Sequence, residues 1–178
     1  SLLVGAEWAI GQDLANKFDF GTISGNFQAD AQYYLEDTLI DPLGEAYPDE
    51  RMLATGFLNL TYRRGDFSAG IRYERYQNNR VGLPPGYVGE GLAYRYARFS
   101  REKYDITVGN FYEQFGSGLT LRAFEERGLG LDNNLDGLRV IFSPINGVTI
   151  KGLVGRQRDY FEKSEGIVRG ADVEWNLK

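Results

Sequence analysis

The chain has 178 residues, a formal net charge of −5, a pI near 4.9, and neither cysteine nor histidine. Without thiols there is no disulfide framework or thiolate metal centre, without imidazole the commonest general base and metal ligand are missing, and an acidic chain lacks the basic surface that grips nucleic-acid phosphates. Twelve Tyr, eleven Phe and 23 Gly against one Met favour strands and turns over helices; a mean hydropathy of −0.40 with no long apolar run excludes a spanning helix but not a spanning barrel, whose strands alternate.

Residues 1–11 open with the apolar stretch Ser1 to Ile10 and place small residues at Ala9 and Gly11, the pattern of a signal-peptide remnant cleaved before Gln12. Glu7 interrupts the stretch, and the alternative is the first strand of a soluble domain. Residues 12–22 then read as an N-terminal periplasmic segment.

From Ile23 the period is two. Ile23, Gly25, Phe27, Ala29, Ala31, Tyr33 and Leu35 alternate with Ser24, Asn26, Gln28, Asp30, Gln32, Tyr34 and Glu36, giving one apolar and one polar face. That length exceeds a usual globular strand and suits a tilted strand crossing a hydrocarbon core. The scheme repeats at Leu58/Leu60/Tyr62, then, across the turn Arg64-Gly65-Asp66, at Phe67/Ala69/Ile71/Tyr73. It continues at Leu92/Tyr94/Tyr96 against Ala93 and Arg95, at Ile106/Val108, at Leu138/Val140/Phe142, across the Pro144 and Asn146-Gly147 turn at Val148/Ile150/Val154, and at Ala171/Val173/Trp175/Leu177. Arg98 and Asn110 fall on the apolar face of regular strands, which predicts a bulge near Gly109 or an interface position for Arg98.

The connections between tight turns, 36–51, 77–89, 113–136 and 157–166, are all long. A meander with short turns at one end and long polar loops at the other is the pattern of an outer-membrane barrel, and aromatic residues beside both ends suit its interface girdles. The expected fold is therefore all-β, an antiparallel up-and-down transmembrane barrel of about eight strands over residues 23–178, a fragment of a larger barrel incomplete at its C-terminus. With the apolar faces to lipid, Asp30, Arg63, Arg72, Glu74, Arg95, Arg139, Lys151 and Glu174 face a lumen, pairing across it if it is narrow or setting selectivity if it is wide.

The stretch 113–137, rich in glycine and carboxylates, has three readings: a loop folded into the lumen with Glu125, Glu126 and Arg127 as a constriction, a solvated external loop, or a further strand at 119–124. Within it Asp132, Asn134 and Asp136 start a D-x-N-x-D-G calcium loop, but the closing position holds Ser143 rather than Glu, and an Asx-rich turn is the alternative. Calcium is the one cofactor the sequence raises.

The stretch 109–140, GNFYEQFGSGLTLRAFEERGLGLDNNLDGLRV, resembles the uncharacterised outer-membrane β-barrel proteins of the Bacteroidetes type, a family of unknown function, and the resemblance runs from about Phe20 to the end. It implies a barrel longer than this chain and supplies no catalytic residues. The terminal Trp175-Asn176-Leu177-Lys178 lacks the final aromatic that such barrels present to their assembly machinery. The expected function is non-enzymatic: a porin-like or transport channel, or a structural component of an envelope complex, in the outer membrane of a Gram-negative bacterium, with lipid, the assembly machinery and other envelope proteins as partners. The alternatives are a barrel hydrolase using Glu125 and Glu126 at its external rim, and a secreted soluble domain that binds glycans through tyrosines.

Overall fold

The computed structural model describes residues 20–35, 39, 50–78 and 88–176. The signal-remnant reading of residues 1–11, most of the 12–22 segment and most of the connections 36–51 and 77–89 lie outside these residues.

The period-two pattern becomes one antiparallel sheet of eight long strands. In chain order these are β1 (Thr22–Tyr33), β2 (Met52–Arg64), β3 (Phe67–Gln77), β4 (Gly89–Arg101), β5 (Tyr104–Phe111), β8 (Leu135–Phe142), β9 (Val148–Asp159) and β10 (Glu162–Trp175), and each pairs with its neighbours in sequence. Between β5 and β8 the two-residue strands β6 (Glu125–Glu126) and β7 (Leu131–Asp132) pair with each other around a 3-10 turn at Arg127–Leu129. The expected all-β meander is therefore present. Closure into a barrel is not: among the described residues β1 pairs only with β2 and β10 only with β9.

One expectation about connections is corrected, and one of the three readings of 113–137 is excluded. β9 runs to Asp159 and β10 starts at Glu162, so the stretch 157–166 holds a two-residue turn, Tyr160-Phe161, instead of a long loop. The extra residues are absorbed by a register shift between Lys163 and Ile167. Residues 119–124 form no strand; Arg122 only bridges to Gln114.

The bulge expected near Gly109 sits mainly in β4. Arg72 pairs with Tyr94 but Tyr73 pairs with Leu92, leaving Ala93 as the extra residue. Past that point every side chain of β4 changes face relative to a regular strand. Tyr94, Tyr96 and Arg98 thus share the polar face with Arg72, whereas Arg95 lies opposite Ile71 on the apolar face. Gly109 is irregular too: it takes φ +98°, the β4–β5 ladder ends there, and the Asn110 side chain accepts the Arg95 amide at 2.9 Å in place of a ladder bond.

The sheet is strongly curled, with the polar face concave. β3 and β9 are four strand steps apart, about 19 Å along a flat sheet. Yet Arg158 of β9 donates to Glu74 of β3 at 2.7 Å, and the ring of Phe161 lies 6.1 Å from that of Tyr76. Exposure is inverted relative to a water-soluble sheet: Val108 and Leu92 on the convex face are 56% and 53% exposed, while Arg72, Glu74 and Arg158 are 6%, 1% and 7% exposed.

Candidate functional site: the concave polar face

The segment 112–134 folds back across the concave face and divides it into a filled part and an open part. Its first half brings apolar side chains: Phe115 and Ala123 join Phe111, Leu135 and Leu153 in the buried cluster, with Leu121 and Val168 packed against it. Phe115 fits closely over β10, where any Cβ on Gly170 would come within 2.6 Å of its ring. The amide of Ala123 donates to Glu113 O at 2.9 Å and that of Phe115 to Leu121 O at 3.1 Å, so the fold-back is closed by its own backbone.

Its second half is fastened by charge. Glu125 accepts both its Arg72 bonds at 3.0 Å and one from Arg127 at 2.7 Å. Asp132 accepts from Arg72 of β3 and Arg158 of β9 together, and from the Tyr112 hydroxyl at 3.0 Å. Arg72 Nε also lies 2.6 Å from Glu74, which Arg158 reaches from the other side. Burial, then the Asp132 charge, push the Tyr112 hydroxyl well above the usual phenol range, so it stays a donor. The guanidinium of Arg127 covers the Phe57 ring at 4.6 Å. Three carboxylates, Glu74, Glu125 and Asp132, thus face three guanidiniums, Arg72, Arg158 and Arg127. Their oxygens lie within 4.8 Å of one another, but the positive charge beside them is already supplied by arginine.

A second row of alternating charges crosses five strands. Arg98 of β4 meets Asp105 of β5, and Asp105 accepts from Arg139 of β8 at 3.0 Å. Arg139 reaches Glu113 at 3.4 Å, Glu113 lies 3.4 Å from Lys151 of β9, and Lys151 donates to Glu174 of β10 at 2.8 Å.

The residues singled out from sequence separate accordingly. Arg72 and Glu74 belong to the first network and Arg139, Lys151 and Glu174 to the second row. Asp30 and Arg63 lie on the same face, Asp30 accepting from Gln28 at 3.0 Å beside the first network and Arg63 bordering the open part near the tight turns. Arg95 departs from the set, because the Ala93 bulge turns it to the convex face, where it meets Asp136 at 3.5 Å. Glu125 and Arg127 lie on the fold-back over the concave face, paired with each other, and Glu125 also with Arg72. Glu126 does a different job: its carboxylate accepts the Gly128 amide at 3.3 Å and caps the 3-10 turn, so Glu125 and Glu126 are not a facing acid pair. The calcium trio does not converge. Asp132 is held by arginines and Asp136 by Arg95 and Lys163, while Asn134, fully buried, donates to Asp132 at 2.9 Å and accepts from Asn110 at 2.7 Å, which is the Asx-rich turn.

Sequence reading missed Arg158, Tyr112, Tyr94 and Tyr96. Arg158 was hidden inside a supposed loop. The two β4 tyrosines were hidden by one extra residue in a strand whose apolar and aromatic content makes either register plausible.

The open part of the face lies on β2 to β4. A cavity of about 230 Å³ is lined by Asn59, Thr61, Gly70, Tyr94, Tyr96 and Tyr112, with Arg72 at its margin. Tyr96 also borders a second hollow of about 250 Å³ beside Arg63, Ser68 and Arg98, nearer the tight turns.

No curated protein matches the chain. The model of a family of unknown function (DUF6029) matches residues 2–178, which is nearly its whole length, and the chain belongs to that family.

Proposed function

We propose that these strands form part of the wall of a non-enzymatic outer-membrane β-barrel of porin or transport type, whose interior the segment 112–134 constricts. The observation that carries this reading is the inversion of the two faces. The convex face offers Leu58, Leu60, Ile71, Leu92, Val108, Leu138 and Val154 to the surroundings, while the concave face buries arginines and carboxylates. A sheet in water places its apolar side inward, because each Å² of apolar surface left wet costs roughly 25 cal/mol. A barrel in lipid has the reverse requirement.

Supporting features are the strand lengths of 11 to 14 residues in β1 to β4, β9 and β10, and the aromatic side chains near the tight-turn ends. There Tyr104 stacks on Phe142 at 4.9 Å and Tyr62 lies 6.3 Å from Phe67, at the depth where a girdle meets the lipid headgroups. The long edges of β1 and β10 are the places where further strands complete the barrel. Lipid and the barrel-assembly machinery are the partners this requires.

The test is extraction and gel mobility of the natural full-length protein. A barrel leaves the membrane fraction only with detergent and migrates differently before and after boiling. Release by salt or alkali, with identical mobility in both states, overturns the reading.

A further inference from the structure

The cavity between β2, β3, β4 and Tyr112 is set apart from the rest of the concave face by what it leaves unused. The rings of Tyr94 and Tyr112 stack at 5.4 Å and Tyr96 stands edge-on to Tyr94 at 5.8 Å, making a wall of three aromatic side chains. Room for the Tyr96 ring exists only because residue 70 is glycine: a Cβ there would lie 2.5 Å from the ring. Opposite stand the Asn59 amide, which donates to Asn26 at 2.8 Å, and the Thr61 hydroxyl. Among the described residues the hydroxyls of Thr61, Tyr94 and Tyr96 have no hydrogen-bond partner in the protein, whereas that of Tyr112 is committed to Asp132. The nearest charge, Arg72, is spent on Glu74, Glu125 and Asp132.

Within this cavity, aromatic faces beside uncommitted hydroxyls and a partly engaged amide, with no spare charge, complement a molecule that has apolar C–H faces, many hydroxyls and no net charge. We infer that this cavity binds a sugar ring of an uncharged oligosaccharide, with Tyr96 as the stacking surface and Thr61, Asn59 and the Tyr94 hydroxyl as its hydrogen-bonding groups. The second hollow beyond Tyr96 is lined by the charged Arg63, Asp66 and Arg98, so the uncharged cavity holds one ring and the rest of the chain lies outside it. The inference rests on the concave face being the wet interior of the proposed barrel.

The experiment is titration of the natural full-length protein, purified in a detergent without a sugar headgroup, with maltotriose and chitotriose, and with trigalacturonate as the anionic control, read by calorimetry. Saturable binding of at least one neutral trisaccharide, tighter than that of trigalacturonate, is expected. Tyr96→Ala should weaken it about tenfold and Tyr96→Phe much less, since stacking survives loss of the hydroxyl. Gly70→Ala, which displaces the Tyr96 ring, should weaken it as well, and Thr61→Val should do so to a smaller degree. Heat-modifiable mobility of each variant reports folding; if Tyr96→Ala fails that check, Gly70→Ala and Thr61→Val decide. No binding of either neutral sugar by the folded protein, preference for trigalacturonate, or binding indifferent to the folded variants overturns the inference. Sugar binding by a protein that shows no membrane behaviour would instead overturn the barrel reading and leave the cavity standing.

Discussion

Two stretches of one concave face, similar in backbone, have been put to opposite uses. Over β5, β8, β9 and β10 the segment 112–134 buries Phe111, Phe115, Leu135 and Leu153 and closes the space; over β2 to β4, below the Arg72 network, the same face keeps a hollow lined with tyrosines and hydroxyls. The difference comes from the partners each strand offers. Where Leu135 and Leu153 interrupt the polar row, an apolar fold-back can settle; where Asn59, Thr61, Tyr94 and Tyr96 continue it, none is drawn down. Polar lining is therefore not filler: one part is neutralised and structural, the other is left with uncommitted donors.

The sharpest way to break this contrast is Asp132→Ala, which strips the shared acceptor from two buried guanidiniums, Arg72 and Arg158. Removing one member of a buried charge network costs about 3–5 kcal/mol, so the midpoint of thermal unfolding should fall markedly, and, if the proposed barrel is constricted by segment 112–134, single-channel conductance in a planar bilayer should rise. An unchanged conductance in the folded variant would mean that the segment is not the constriction.

Leu135→Ala attacks the apolar anchor and should cost about 2–5 kcal/mol in denaturant unfolding, the range for an emptied core site. Val108→Arg examines the opposite face: for a strand in lipid it should cost about 2–4 kcal/mol in refolding into vesicles, against a few tenths in a soluble sheet. A smaller effect is expected from Glu125→Gln, about 1–2 kcal/mol through two partly buried arginine contacts, with Glu126→Gln below 0.5 kcal/mol because it removes only a cap at an exposed turn. Equal losses at 125 and 126 would revive the idea of a paired carboxylate site. Thr61→Val, in the open part, should leave unfolding within about 0.5 kcal/mol of the parent while affecting ligand binding, which separates the two stretches by readout.

Much of the fold could be read in one dimension because a strand's period of two is local: Ile23 to Tyr33 and Phe67 to Tyr73 assign their own faces without help from any neighbour. The tight turns at Gly65-Asp66 and Asn146-Gly147 are local in the same way. Register defects are not. The extra Ala93 has no signature of its own, and it alone moved Arg95 out of the polar set and brought Tyr94, Tyr96 and Arg98 into it. The turn at Tyr160-Phe161 was equally obscure, since neither residue advertises a turn although Tyr160 adopts φ +53°.

By itself, then, the sequence determined an all-β meander of about eight strands with one apolar and one polar face, because side-chain alternation is a property of each strand alone. Only the tertiary structure decided which charges meet. Arg72, Asp132 and Arg158 lie up to 86 positions apart in the chain and become neighbours through the curl of the sheet and the fold-back of one segment, neither of which any local pattern encodes.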